Sequence, residues 1–324
     1  MRYFLLSVLS LTLLMSCGDK KSNEKFLPDA SGAINNVSVV TENDLWDGRV
    51  GEAIRNVLAK PIYGLPQDEP TFTISQIPTS VFSGFVTKNR TVLKIETNKE
   101  AGITISDNVY AKPQKVIVVS GKTKEEIIDV LKANETKIID IFRNEELSER
   151  LRQMAKSPHN FETIKEKLGL TIEFASVYRK AKETDNFFWI RKDITTGTTN
   201  LMIYELPYDA IKRNDSVVNQ IIKIRDSIGR AYIEGPVEGS YLITENAYTP
   251  FHGKTIIDNK PTLETKGLWD VKNAFMGGPF INYAIEDKIN KRWVVVEGFA
   301  FAPSVEKRNY MLELEAIIKS VKIQ

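Results

Sequence analysis

Phe187-Phe188-Trp189-Ile190-Arg191 and Asn200-Leu201-Met202-Ile203-Tyr204 are two apolar and aromatic runs joined through Thr195-Thr196-Gly197-Thr198. Runs of this kind, separated by a short glycine-containing connection, read as a pair of strands. Connections this short join antiparallel neighbours, because a parallel crossover needs a dozen residues or more. The same pattern continues toward the C-terminus, where strands are expected at Tyr241–Thr244, Gly267–Val271, Phe280–Ile285 and Trp293–Phe301. Between them, Val217, Val218, Ile221, Ile222 and Ile228 recur at helical spacing behind a cap at Asn214 or Asp215. A closing helix is expected from Val305 to Lys319, with a last short strand at Val321–Ile323.

Working toward the N-terminus, a short helix at Phe161–Leu168 stops at Gly169, and Ser157-Pro158-His159-Asn160 marks a segment boundary. Before it, Thr123-Lys124-Glu125-Glu126 is a capping box opening a helical stretch of about thirty residues, too long to be one ordinary globular helix. A break is expected near Asn134 or Asn144. Strands are expected at Val37–Val40, Thr71–Ile77, Thr91–Glu96 and Val116–Val119, and a helix through Trp46, Val50, Ile54 and Leu58 that Pro61 stops. The mixture predicts an α+β fold of mainly antiparallel sheets backed by helices, in two sandwich-like segments, 34–156 and 160–324.

The N-terminus has its own logic. Met1-Arg2-Tyr3 precedes an apolar run from Phe4 to Met15, and Leu14-Met15-Ser16-Cys17 follows the pattern of a lipobox. The run is shorter than the roughly 20 residues needed to span a bilayer. Residues 1–16 are therefore expected to be a lipoprotein signal peptide, Cys17 the lipidated residue, and residues 17–33 a flexible polar tether. The chain is then expected in the bacterial cell envelope, held by lipid at the outer membrane and facing the periplasm, although Gly18 and Asp19 after the cysteine do not decide between inner and outer membrane. Cys17 is the sole cysteine, so disulfides are excluded.

Composition narrows the function. With 44 basic and 42 acidic residues the chain is nearly neutral and carries no basic stripe, so no nucleic-acid partner is expected. The phosphate-loop, dinucleotide, zinc-protease and nucleophile-elbow motifs are absent. The two histidines, His159 and His252, lack metal-ligand spacing, and no metal or cofactor is expected. Asp44 and Asp47 flank Trp46 on one helix face; the arrangement suits a binding surface, and equally helix capping. Met276-Gly277-Gly278-Pro279-Phe280 reads as a sharp turn between strands, where Gly277 and Gly278 allow close backbone approach to a ligand or serve a plain hairpin. The loop Pro61–Pro70 is a candidate contact surface. Leu45-Trp46-Asp47 recurs as Leu268-Trp269-Asp270, but the flanks differ and the repeat is read as coincidental.

Several stretches together resemble a domain-of-unknown-function family of bacterial envelope lipoproteins. They include Asn43-Asp44-Leu45-Trp46-Asp47-Gly48, Pro61-Ile62-Tyr63-Gly64-Leu65-Pro66-Gln67, Asp185-Asn186-Phe187-Phe188-Trp189-Ile190-Arg191 and Val296-Glu297-Gly298-Phe299-Ala300-Phe301. The resemblance implies an envelope address and brings no catalytic residues. In element order the second segment is similar to photosystem-accessory and Ran-binding type α/β/α sandwich modules, which implies binding or assembly. The expected function is a membrane-anchored, non-catalytic binding or assembly module with an envelope protein partner. The alternatives are a hydrolase of envelope polymers using paired carboxylates, and a carrier of an apolar ligand.

Overall fold

The computed structural model describes residues 26–159 and 161–324. The signal peptide and the lipidation expected at Cys17 lie outside the described residues.

The fold is α+β, built on two main sheets. The first holds β1 (Asn36–Val40), β2 (Thr73–Ile77), β3 (Thr91–Thr97), β4 (Gly102–Asp107) and β5 (Lys115–Gly121), in the order β2-β1-β3-β5-β4. Here the antiparallel expectation holds for one pair alone: β1 runs parallel to both β2 and β3, β3 runs parallel to β5, and β4 opposes β5. The physical reason is burial on both faces, which parallel sheets require. One face, with Val37, Val39, Leu93, Ile95, Ile117 and Val119, packs on helices. The other, with Val40, Val92 and Val116, is covered by loop residues Phe82, Val109 and Tyr110.

The helices over this sheet follow from local chemistry. The single helix expected through Trp46 is divided into α1 (Asn43–Trp46) and α2 (Arg49–Leu58). Gly51 permits the tight join, since a Cβ there would stand 1.8 Å from the Trp46 carbonyl oxygen. The long helical stretch breaks at Asn134 into α3 (Lys124–Ala133) and α4 (Glu135–Met154). The Thr123 half of the capping box forms, Oγ1 accepting from the Glu126 amide at 3.2 Å, while the Glu126 carboxylate accepts from the Lys122 amide at 2.7 Å, one residue before the cap. The tether expected over 17–33 stops short of residue 33, because backbone hydrogen bonds join Pro28–Ser31 to Lys88, Arg90 and Lys112.

The second sheet holds eight strands after the short helix α5 (Glu162–Leu168): β6 (Arg179–Glu183), β7 (Phe187–Ile194), β8 (Gly197–Pro207), β9 (Tyr241–Thr244), β10 (Phe251–Ile257), β11 (Lys260–Lys272), β12 (Ala274–Asp287) and β13 (Arg292–Phe301). Their order is β9-β11-β12-β13-β8-β7-β6, with β10 also on β11, and every pairing is antiparallel. β7 and β8 close the predicted pair in register from Phe187 opposite Tyr204 to Ile194 opposite Gly197. Alternation then sorts side chains to two faces. Ile190, Leu201, Ile203, Tyr283, Val294 and Val296 face α7 (Arg308–Lys319). Phe187, Tyr204, Phe280, Val295 and Phe299 face α6 (Val217–Tyr232). At Gly298 the sheet takes α7 closely, for a Cβ there would lie 2.8 Å from the Leu314 Cβ. The terminal pair Lys322–Ile323 joins Leu170–Thr171.

Helix α4 belongs to both halves. Its Ile138 and Phe142 lie in the core of the first sheet, and its Leu147 and Met154 in the α7 core of the second. Charged groups near its middle tie it to both halves. Glu146 pairs with Arg90 at 2.9 Å in the interior, and Arg143 pairs with Glu315 of α7. The loop Pro61–Pro70 completes the joint from within the molecule. The Glu69 carboxylate accepts from the backbone amides of Lys307 and Arg308, both at 2.8 Å, and so caps α7. Tyr63 stacks on Phe251 at 5.4 Å, and the Tyr248 hydroxyl lies 3.1 Å from the Gly64 amide. This loop, expected as a contact surface, clamps the joint through Glu69 and Tyr63, while Pro66, Gln67 and Asp68 stay exposed.

Candidate functional site: an aromatic cavity beyond the end of α6

A mismatch of lengths creates the site. The fourteen residues of β12 span roughly 46 Å at about 3.3 Å each. The sixteen of α6 span roughly 24 Å at about 1.5 Å each. One helix therefore covers about half of that face. Past its last turn the chain crosses back as the loop Ile233–Ser240, and between loop and sheet lies a cavity of about 410 Å³. Its walls include Trp189, Trp269, Met276, Phe299 and Phe301, with Ile233, Pro236 and Leu242 from the helix end, the loop and β9.

Several local features hold it open. Gly278 opposes Trp269 across β12 and β11, and a Cβ on it would stand 2.1 Å from the Ala300 oxygen and 3.2 Å from the Trp269 indole nitrogen. The missing side chain lets that indole lie against the strand and donate to the Ala300 oxygen at 3.2 Å. Trp189 donates its indole N–H to Asn200 Oδ1 at 3.0 Å. The loop is pinned through α6 and β9: Leu242 donates to the Ile233 carbonyl at 3.1 Å, and Asp226 accepts from the Thr244 amide at 2.8 Å.

Under α6, adjoining the cavity, Arg225 and Glu297 form a fully buried pair at 2.8 Å. Asn282 donates to the same carboxylate at 2.9 Å, and Thr244 Oγ1 accepts from Arg225 at 2.9 Å. The guanidinium also lies 4.0 Å from the Phe280 ring centroid. Burial pushes the Glu297 carboxyl above its ordinary value, against the opposing pull of Arg225 and Asn282. Burial and the Glu297 charge raise the Tyr204 hydroxyl. The pair fixes α6 on the sheet, and Phe299, two residues beyond Glu297 on the same face, begins the cavity wall.

The carboxylates of the cavity are engaged. Asp193 accepts from Arg179 at 3.0 Å and Arg191 at 3.2 Å, and hydrogen bonding from Arg179 holds it below the usual range. Glu234 lies 3.6 Å from Lys182. A second cleft, about 660 Å³ and open, is lined by Lys167, Asn186, Glu205, Arg292 and Gln324. Its cations are also paired, Arg292 with Glu205 at 2.7 Å and Lys167 with Glu183 at 3.1 Å. Among the described residues, no group of three His, Cys, Asp or Glu side chains could hold a metal ion, and no helix is long and apolar enough to cross a membrane.

The residues singled out from sequence separate into two places. Asp44, Trp46 and Asp47 lie at α1; Trp46 packs against the first core under the Arg55 guanidinium at 4.7 Å, Asp44 lies 3.8 Å from Lys124, and both aspartates are exposed. Gly277 and Gly278 form no turn. They stand inside β12, and the reversal falls at Asn273, whose φ is +65°. Close approach is indeed what the glycines allow, but the approaching group is the molecule's own strand and indole. His252 lies in β10 with Nδ1 3.1 Å from Thr265 Oγ1, and burial lowers its pKa. Trp189, Trp269, Phe299 and Phe301 were not singled out as a site, because only sheet register brings them together.

The chain belongs to the family described as a domain of unknown function, DUF4837, whose model matches residues 157–320. A second family model, the domain of unknown function DUF8532, matches residues 30–155. No curated protein matches the chain. Among solved structures there is a weak similarity to the Ran-binding protein Mog1p of Saccharomyces cerevisiae, with 9% identity, a TM-score of 0.35, and coverage of 52% of this chain and 95% of that one.

Proposed function

We propose that this member of the family is a membrane-tethered, non-catalytic binding module of the bacterial envelope, and that its binding site is the cavity beyond α6. The observation that carries the reading is the cavity itself. Ligand sites are typically concave, about 300–1,000 Å³, apolar in their walls and sparing in polar groups, and this one has that size and lining. A polymer hydrolase would need two carboxylates free to act at an open cleft. Of the two carboxylates lining this cavity, Asp193 is held by Arg179 and Arg191, and Glu234 stands exposed 3.6 Å from Lys182. The lipobox ending at Cys17 supports the tether, and an acylated Cys17 would hold the fold at the outer membrane facing the periplasm.

The test replaces Met276 with a photo-crosslinking residue in intact cells, with the same replacement at exposed Lys132 as control. Capture of a reproducible molecule at Met276 alone is the expected result. Equal capture at both positions, or none, refutes the site. Cys17→Ala should move the protein out of the membrane fraction; if it stays there, the tether reading is wrong.

A further inference from the structure

We infer that the cavity takes a small uncharged molecule with a flat apolar body, aromatic or alicyclic, carrying one neutral hydrogen-bonding group. The inference rests on the cavity being the binding site and names what enters it. The first ground is the wall. Trp189, Trp269, Phe299 and Phe301 present aromatic surface, which favours stacked or edge contact with a planar partner. Both indole N–H groups already donate inside the protein, one to Asn200 and one to Ala300, so these side chains present carbon to the ligand.

The second ground is charge. Arg191, Asp193 and Glu234 are the ionised residues of the lining; Asp193 is shared by Arg191 at 3.2 Å and Arg179 at 3.0 Å, and Glu234, largely exposed, lies 3.6 Å from Lys182. These charges stand toward solvent while Trp269 and Phe299 are buried, so an ionised ligand seated on the aromatic wall loses hydration that the wall does not replace, which is costly. A neutral polar group fares differently. The Asn200 amide uses one Oδ1 lone pair for Trp189 and one Nδ2 hydrogen for Thr198, which leaves a second acceptor site and a second donor hydrogen. A hydroxyl or carbonyl satisfies that remaining capacity.

The test titrates the full chain, carrying Cys17→Ala to keep lipid out of the background, with two naphthalene dyes of nearly the same shape. One is neutral N-phenyl-1-naphthylamine, the other the anionic 8-anilinonaphthalene-1-sulfonate. The neutral dye should bind at one site, at least about tenfold tighter than the sulfonate. Met276→Glu, which places a charge in the wall, should weaken it by about tenfold or more while the circular dichroism spectrum is unchanged. If the sulfonate binds as well as the neutral dye and Met276→Glu affects both, the ligand class is overturned and the site stands. Should neither dye bind, or Met276→Glu change nothing, the site itself falls.

Discussion

The two sheets solve the same covering problem with opposite errors. In the first, strands of five to seven residues span roughly 17–23 Å, and α4 alone, with twenty residues, runs to roughly 30 Å. Cover exceeds sheet, both faces fill, and the overhanging end of α4 reaches the neighbouring core. In the second, strands of thirteen and fourteen residues outrun the sixteen-residue α6, so sheet exceeds cover and a cavity remains. A binding cavity here is the remainder of a length subtraction, and its position follows from where α6 stops.

The comparison can be broken in order of effect. The largest loss should come from Arg225→Met, which leaves Glu297 buried without its partner and removes what fixes α6. Breaking one side of a buried pair costs about 3–5 kcal/mol, which urea unfolding would register. A loss under about 1 kcal/mol would mean that α6 is held by its apolar face instead. Next comes Gly278→Ala, where the new methyl meets the Ala300 oxygen and the Trp269 indole; overpacking of this kind costs about 1–3 kcal/mol. The matched control is Gly102→Ala in β4, where nothing lies within 4 Å and a change within about 0.5 kcal/mol is expected. Equal effects at the two glycines would erase the claimed difference in local crowding.

Glu69→Ala should cost about 1–2 kcal/mol by uncapping α7, with earlier hydrogen exchange in its first turn. Protection unaltered there would show that the joint does not depend on the cap. The last test is read in acid and concerns Glu315. Burial alone would raise its carboxyl, but the charges of Arg143, Lys319 and Lys266 hold it well below the ordinary range. Its folded pKa lies under its unfolded one, so its contribution is full above the unfolded carboxylate value near 4.3 and is lost as pH falls below that. Glu315→Gln should therefore flatten the acid limb of a stability–pH curve. An unchanged slope below pH 4 would remove Glu315 from the account.

Much of the second region could be read in the chain because its signals are local. The β7–β8 pair shows as two apolar runs around a short turn, and α5 ends at a glycine in the left-handed conformation; in the first region the start of α3 is equally local, at the Thr123 cap. β10 went unread although Asp258-Asn259, both at positive φ, form the two-residue turn into β11; its exposed Ile256 and interior Gly253 blur the alternation. Parallel pairing of β1, β3 and β5 was not legible, since apolar runs this short do not state their direction. The cavity was legible least of all. Gly278 drew notice as a glycine, yet its use depends on Trp269 and Ala300, brought beside it by the β11–β12–β13 register.

The sharing of α4 also sets an order of events during synthesis. A chain delivered N-terminus first completes α4 at Met154, while its partner α7 begins only at Arg308. At about 5–20 residues per second, those roughly 150 intervening residues take about 8–30 s to appear. Through that interval Leu147, Leu151 and Met154 form an apolar stripe on a helix whose partner surface does not yet exist. The nascent first half is thus sticky along one helix, a natural place for a chaperone to hold the chain until α7 arrives.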